Sequence, residues 1–215
     1  MDILDYVQKQ SAILVMGPPR SEKSLFVRQM VVEGFRRGEK AVYILTNNFP
    51  EDIIAELGKG IGSFHIEKGM MRIIDCYTNF VGVPRPDNDV TTVVSSPAAL
   101  NEISIALAKS IKDISPAFVV VDSASTILLQ SPHLYEKFFQ VIIGKMRSYS
   151  IKSVLLLEEG IHSEKEKAVL ESLTSMTLRF IEEGREKYVE IRGMGSEQRS
   201  AYEVRDGKLT FMQLA

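Results

Sequence analysis

The 215-residue chain contains a single cysteine, Cys76. That excludes an internal disulfide and a cysteine-based zinc site. Because Cys76 ends an apolar run, it is expected to be buried rather than reactive. No apolar run reaches the ~18 residues that a membrane span needs. The N-terminal Met1-Asp2-Ile3-Leu4-Asp5 lacks the basic stretch and long apolar region of a secretion signal. A soluble, cytoplasmic protein without a membrane partner is the expectation. A charge bias is also missing: 26 basic against 28 acidic residues leave a formal net charge of −2. General nucleic-acid binding therefore has no electrostatic footprint, although a local patch is compatible with this balance. His65, His133 and His162 are scattered without metal-ligand spacing and are expected at the surface or in turns. No internal repeat or low-complexity tract is present. What remains is an ordinary globular composition, 45% hydrophobic and 25% charged, at a length that suits one domain over residues 1–215.

Strand and helix patterns alternate along the chain. Near-continuous apolar runs at 12–16, 40–45, 71–75, 117–121 and 152–157 predict strands buried on both faces. Helices are predicted at 24–37, which ends in Arg36-Arg37-Gly38, and at 50–58, which opens on Pro50 with Glu51 and Asp52 in its first turn. Two more are predicted at 97–113 and 132–149. The stripe Tyr135, Phe138, Phe139, Ile142, Met146 in the last of these reads as core. Such alternation implies a parallel sheet built by right-handed crossovers. The last third changes character: 174–182, 186–192, 201–205 and 208–212 read as strands. Glu183-Gly184-Arg185 and Asp206-Gly207 supply the turns of an antiparallel edge. Residues 77–96, rich in Pro, Asn, Asp, Ser and Thr, form the longest predicted loop.

The chemistry concentrates at residues 17–24, Gly-Pro-Pro-Arg-Ser-Glu-Lys-Ser, between the first strand and the first helix. This is nearly the phosphate-binding loop G-x-x-x-x-G-K-[ST]. In such loops backbone N–H groups wrap a phosphate, the lysine reaches the terminal phosphates and the hydroxyl holds magnesium. Gly17, Lys23 and Ser24 fit those roles, with Pro18, Pro19, Arg20 and Ser21 as the wrap. Glu22 stands where a glycine is wanted. It adds a side chain and brings a negative charge near phosphates, a repulsion of ~4 kcal/mol at ~4 Å and an effective dielectric of ~20. An outward-pointing Glu22, or an offset from Arg20, would remove that penalty. Without a ligand the octet is simply a strand-to-helix turn. A second element, Ala117-Phe118-Val119-Val120-Val121-Asp122-Ser123, ends a buried strand in an acid. Asp122 there suits a magnesium-positioning carboxylate acting with Ser24 or a water.

Together with Tyr43-Ile44-Leu45-Thr46-Asn47-Asn48-Phe49-Pro50-Glu51-Asp52, Ile73-Ile74-Asp75-Cys76-Tyr77, Leu100-Asn101-Glu102-Ile103-Ser104-Ile105 and Ile191-Arg192-Gly193, these segments resemble the KaiC-like branch of the RecA superfamily of P-loop ATPases. The archaeal single-domain members are the most similar, and the resemblance covers roughly residues 10–212. It implies a RecA-like P-loop NTPase fold: an α/β domain with a mostly parallel central sheet flanked by helices and an antiparallel C-terminal edge. It also implies ATP or ADP bound with Mg2+. A pair of glutamates that activates water normally occupies the positions of Asn47 and Asn48, and an amide cannot usefully accept that proton. A Lys-x-Arg pair that reaches a neighbour's nucleotide reads here Glu190-Ile191-Arg192, leaving Arg192 as a finger candidate. The usual lead-in before the first strand is short, with Met1–Ser11 available, which puts the family's adjacent-subunit contacts in question.

The departures at Glu22, Asn47-Asn48 and Glu190 fall on reactive positions while the apolar runs are intact. The expectation is a degenerate nucleotide site of low affinity with little or no hydrolysis, in a nucleotide-sensing or partner-binding module, as a homo-oligomer or with a protein partner. Two alternatives stand beside it. One is a slow ATPase using Glu158 or Glu159, which close the fifth predicted strand and otherwise read as a solvated turn. The other is a recombinase-paralogue role on DNA, which the charge balance does not support. Glu164-Lys165-Glu166-Lys167 reads as an exposed helix face.

Overall fold

The computed structural model describes residues 3, 7, 9–61, 69–184, 186–193 and 196–212. His65, and Arg185 of the turn expected after Glu183, lie outside them. The strands are β1 Ala12–Gly17, β2 Ala41–Leu45, β3 Met71–Asp75, β4 Thr91–Val93, β5 Phe118–Asp122, β6 Lys152–Glu158, β7 Met176–Glu183, β8 Glu186–Gly193, β9 Ser196–Arg205 and β10 Lys208–Phe211. The helices between them are α1 Lys23–Arg36, α2 Pro50–Ile61, α3 Leu100–Ile114, α4 Ala124–Gln130, α5 Tyr135–Ser148 and α6 Glu164–Leu173.

All ten strands join one sheet in the order β10-β9-β8-β7-β1-β6-β5-β2-β3-β4. From β7 through β4 every neighbouring pair is parallel, and from β7 to β10 every pair is antiparallel. This is the mostly parallel sheet with an antiparallel C-terminal edge that the sequence implies. The continuous apolar runs exist because helices cover both faces. In β1, Ile13 and Val15 enter a core with Phe26 and Met30 of α1, Tyr43, Phe118 and Phe180. Leu14 and Met16 enter the opposite core with Ile103 and Leu107 of α3 and Phe139 and Ile142 of α5. Each such side chain, when fully buried, contributes on the order of 1.5–3 kcal/mol. Cys76 is fully buried, as expected, and burial pushes its thiol pKa up.

Several boundaries differ from the sequence reading, among them the start of α3 at Leu100 rather than residue 97 and the end of α2 at Ile61 rather than residue 58. The expected loop 77–96 contains β4, whose Thr-Thr-Val triplet pairs with β3; three residues are too few to show a period. Helix α4 was not expected, because seven residues give fewer than two complete turns of pattern. It buries Ala124, Ile127 and Leu128. Helix α5 starts at Tyr135, not at residue 132, with His133 exposed in the turn before it. Strand β9 starts at Ser196, five residues before the apolar signal, because the ladder with β8 runs from Gly193↔Ser196 to Tyr188↔Ala201.

Candidate functional site

Parallel strands all end on the same edge of the sheet, and α1 begins there. The loop from β1 to α1 is set by close packing: a Cβ on Gly17 would lie 2.6 Å from Ser21 Oγ and 2.9 Å from the Phe180 carbonyl oxygen. The Pro18 carbonyl accepts the Ser21 N–H at 3.2 Å and the Lys23 Nζ at 2.9 Å. Pro18 and Pro19 bring no N–H of their own to the loop. Arg20 is exposed and has φ +65°, the left-handed region that glycine favours. Ser21 is buried, with an Oγ that has no partner among the described residues. Ser24 is half-buried beside Lys23 in the first turn of α1.

The Lys23 ammonium is buried and forms an ion pair with Glu158. Register explains the meeting: Gly17 lies opposite Glu158 across β1 and β6. The end of β6 is clamped, since the Glu158 N–H donates to Ser125 Oγ at 2.7 Å and the Glu159 N–H to the Gly17 carbonyl at 2.9 Å. Glu159 accepts a hydrogen bond from Arg179 Nε at 2.8 Å, with a second guanidinium contact at 2.7 Å. Neither carboxylate is unpartnered: Glu158 ends the strand and Glu159 stands in the turn that follows, both half-buried.

Asp122 ends β5, next to β6, on the sheet face of Phe118 and Val120 that α1 covers. It is buried, and no hydrogen bond or ion pair reaches its carboxylate among the described residues. Burial pushes its pKa up to about 6; Lys23 and Arg28 pull against that, while Glu56 and Glu158 add to it. The adjoining strand end is latched: Thr46 Oγ1 accepts the Ser123 N–H at 2.8 Å and donates to the Ser123 carbonyl at 3.0 Å. Asn47, exposed, and Asn48, half-buried, follow directly and bond each other at 3.1 Å.

Glu22 turns away from the loop. Its carboxylate is paired with Lys187 of β8 and accepts a hydrogen bond from the Tyr202 hydroxyl of β9 at 3.0 Å. Burial raises its pKa, but the bonds from Lys187, its own backbone and Tyr202 outweigh that, and the net shift is downward. Its φ of −68° is ordinary for any residue. Lys187, not Arg20, offsets the Glu22 charge.

Arg192 is not brought into this cluster. It lies opposite Thr177 on β7, which lies opposite Leu14, three residues back from Gly17. There it pairs with Glu197 at 2.9 Å and with Glu190 at 3.7 Å. His162, expected at the surface or in a turn, sits in a bend but is buried, with both ring nitrogens unpartnered among the described residues; burial lowers its pKa. Glu164 and Lys165 are exposed on α6, as expected, while Glu166 and Lys167 are half-buried. Sequence reasoning missed Thr46, Ser125, Arg179, Lys187 and Tyr202. None carries a local signal, because each acts across strands far apart in the chain.

By its chemistry Asp122, a buried carboxylate without a hydrogen bond or ion pair among the described residues, suits a divalent cation. A buried, unpaired carboxylate gains most from a cation. A polyphosphate fits at Lys23 only by competing with Glu158. No group of three or more potential metal-ligating side chains is present among the described residues, so such a cation would lean on phosphate and water oxygens. No helix among the described residues is long and apolar enough to cross a membrane.

A UPF0273 protein of Aeropyrum pernix is 23% identical over 158 residues, which cover 72% of this chain and 62% of that protein. Another, from Saccharolobus solfataricus, is 30% identical over 128 residues, covering 59% of this chain and 45% of that one. The chain thus spans between 45% and 62% of the length of these relatives. The crystal structure of a KaiC-like protein from the hyperthermophilic archaeon Pyrococcus horikoshii superposes with a TM-score of 0.73 at 18% identity, over 94% of this chain and 90% of that one. At that identity the likeness speaks for the fold. The family model described as "ATPase: KaiC" matches residues 3–207, nearly the whole chain, and on that match the protein belongs to the KaiC family of RecA-superfamily P-loop ATPases.

Proposed function

We propose that this protein is a KaiC-family module that binds ATP or ADP with Mg2+ weakly, hydrolyses it little or not at all, and reports nucleotide state to a protein partner or to a second copy of itself. Lys23 would hold the terminal phosphates, Ser24 and Asp122 the cation, and residues 17–22 the wrap. One observation carries this reading: the P-loop lysine is already neutralised by Glu158, and Glu159, the other carboxylate at that strand end, is held by Arg179. With Asn47 and Asn48 in the glutamate positions, neither carboxylate at the end of β6 is free to take a proton from water. General-base help is worth ~10²–10⁴-fold in rate. Titration of ATP and ADP with and without Mg2+ should give millimolar affinities, and phosphate release should stay at the level of Lys23→Ala. Low-micromolar binding with turnover that Lys23→Ala abolishes would overturn the reading.

A slow ATPase is the second reading, and one observation favours it. The Glu158 side chain is 32% exposed, and phosphates that take over Lys23 would release it as a base. Turnover lost in both Lys23→Ala and Glu158→Gln is what this reading requires.

A further inference from the structure

The pairing of Lys23 with Glu158 goes beyond weak affinity. In a P-loop the lysine serves the β- and γ-phosphates. Here its ammonium is held from two sides: by the Pro18 carbonyl at 2.9 Å, within the loop itself, and by the Glu158 carboxylate from the end of β6. The carboxylate cannot leave by a shift of its strand. Its residue is in register with Gly17, its N–H is bonded to Ser125, and the next residue is tied to Gly17 through the backbone and to Arg179 through the side chain. With the strand held, the pair separates only by side-chain rotation of Glu158 or Lys23, and the incoming phosphate then replaces the lysine's counter-ion. Asp122 is the second fixed negative group nearby, and it senses both Lys23 and Glu158.

We infer that Glu158 acts as a built-in counter-anion on Lys23 and makes the site selective for a nucleoside diphosphate over the corresponding triphosphate. The inference rests on the nucleotide-site reading above. A diphosphate brings only its β-phosphate to Lys23, so a single phosphate group faces the Glu158 carboxylate there. A triphosphate adds a further charged group on the lysine, directly beside a carboxylate that the strand holds there. Like charges a few ångströms apart in a partly desolvated site separate the two ligands by about tenfold or more in affinity. Glu22 takes no part, because its charge is spent on Lys187.

The experiment is calorimetric titration of the full chain, as wild type and as Glu158→Gln, with Mg-ADP and with the Mg complex of a non-hydrolysable β,γ-methylene ATP analogue. The wild type is expected to bind the diphosphate at least about tenfold more tightly. Glu158→Gln removes the charge at nearly the same volume, and the gap should close, mainly through a gain in triphosphate affinity. Equal or tighter triphosphate binding by the wild type overturns the inference, as does a ratio unchanged in Glu158→Gln; in both cases the nucleotide site itself still stands. No binding of either ligand to either protein removes the nucleotide site, and the inference with it. Should Glu158→Gln not fold, the wild-type ratio decides alone.

Discussion

At the scale of single residues, the strain in the P-loop sits at Arg20 and the suspected charge at Glu22 is neutralised. Glu22 departs from the motif, yet its φ is negative and its carboxylate bridges Lys187 and Tyr202. Glu22→Gly therefore leaves the Tyr202 hydroxyl without its acceptor and Lys187 with only its 3.4 Å pairing to Glu182. We expect a loss of about 1–2 kcal/mol in chemical denaturation and no tightening of nucleotide in titration. Arg20→Gly acts the other way: a non-glycine residue in the left-handed region costs roughly 1–2 kcal/mol, and relieving it should raise stability by up to about 1 kcal/mol after the entropy of the added glycine. Asp122 makes a pH-dependent prediction. Folded, it binds its proton more tightly, with a pKa of about 6 against an ordinary 3.8. The native state therefore holds more protons between those values, and stability falls as pH rises through that window. Asp122→Asn should stabilise the nucleotide-free protein by roughly 1–3 kcal/mol at pH 8, with the gain shrinking toward pH 4. The same variant should lose any Mg2+ dependence of nucleotide binding. Denaturation series at several pH values check the first effect and titration the second.

At the scale of elements, long apolar runs were legible and short or polar segments were not. β1, β3 and β5 are buried on both faces, so their composition alone announces them. β4 and α4 are too short to establish a period, and the first half of β9 is polar because its place is set by the β8 ladder. Helix α6 shows a local device that does act alone. Ser163 Oγ accepts the Glu166 N–H at 3.3 Å, and the Glu166 carboxylate accepts the Ser163 N–H at 2.8 Å, a reciprocal cap. Ser163→Ala should cost about 1 kcal/mol by thermal or chemical denaturation. Because α6 follows the Glu158–Glu159 strand end, the same change tests whether that end depends on the helix: nucleotide affinity should not move, since Ser125 and Gly17 clamp the strand directly.

At the scale of the whole molecule, the site depends on strand order. β6 is threaded between β1 and β5, so Glu158 arrives opposite Gly17 of the P-loop, and Asp122 follows the Val121↔Leu155 pair on the other side of β6. The β7–β10 extension carries Arg179 and Lys187 to the two flanking glutamates. The same extension holds Arg192 back at the level of Leu14, away from its own P-loop. A finger role for Arg192 would require a second copy of the chain. Ligand binding should register globally: for a Kd of about 1 mM, ~10 mM nucleotide stabilises by ~1.4 kcal/mol, which for a domain of this size raises Tm by roughly 2–4 °C. A melt that does not move under those conditions, while control proteins do, would place the affinity below the proposed range.

The sequence by itself determined the α/β alternation, the buried strands, the antiparallel ending, the P-loop at residues 17–24 and the acid at the end of β5. Each of these is written in local pattern: a run of apolar residues, a turn dipeptide, a glycine–lysine–hydroxyl spacing. It also brought Glu158 and Glu159 into view as candidates, without saying what they face. Only the tertiary structure decided which charges meet. Lys23 and Glu158 are 135 positions apart and Glu22 and Lys187 are 165 apart, so no spacing rule connects them. Whether a carboxylate attacks water, repels phosphate or neutralises a lysine depends on its nearest partner. In this protein those partners are delivered by sheet register across β1, β6, β7 and β8, which is a property of the folded chain and of no segment within it.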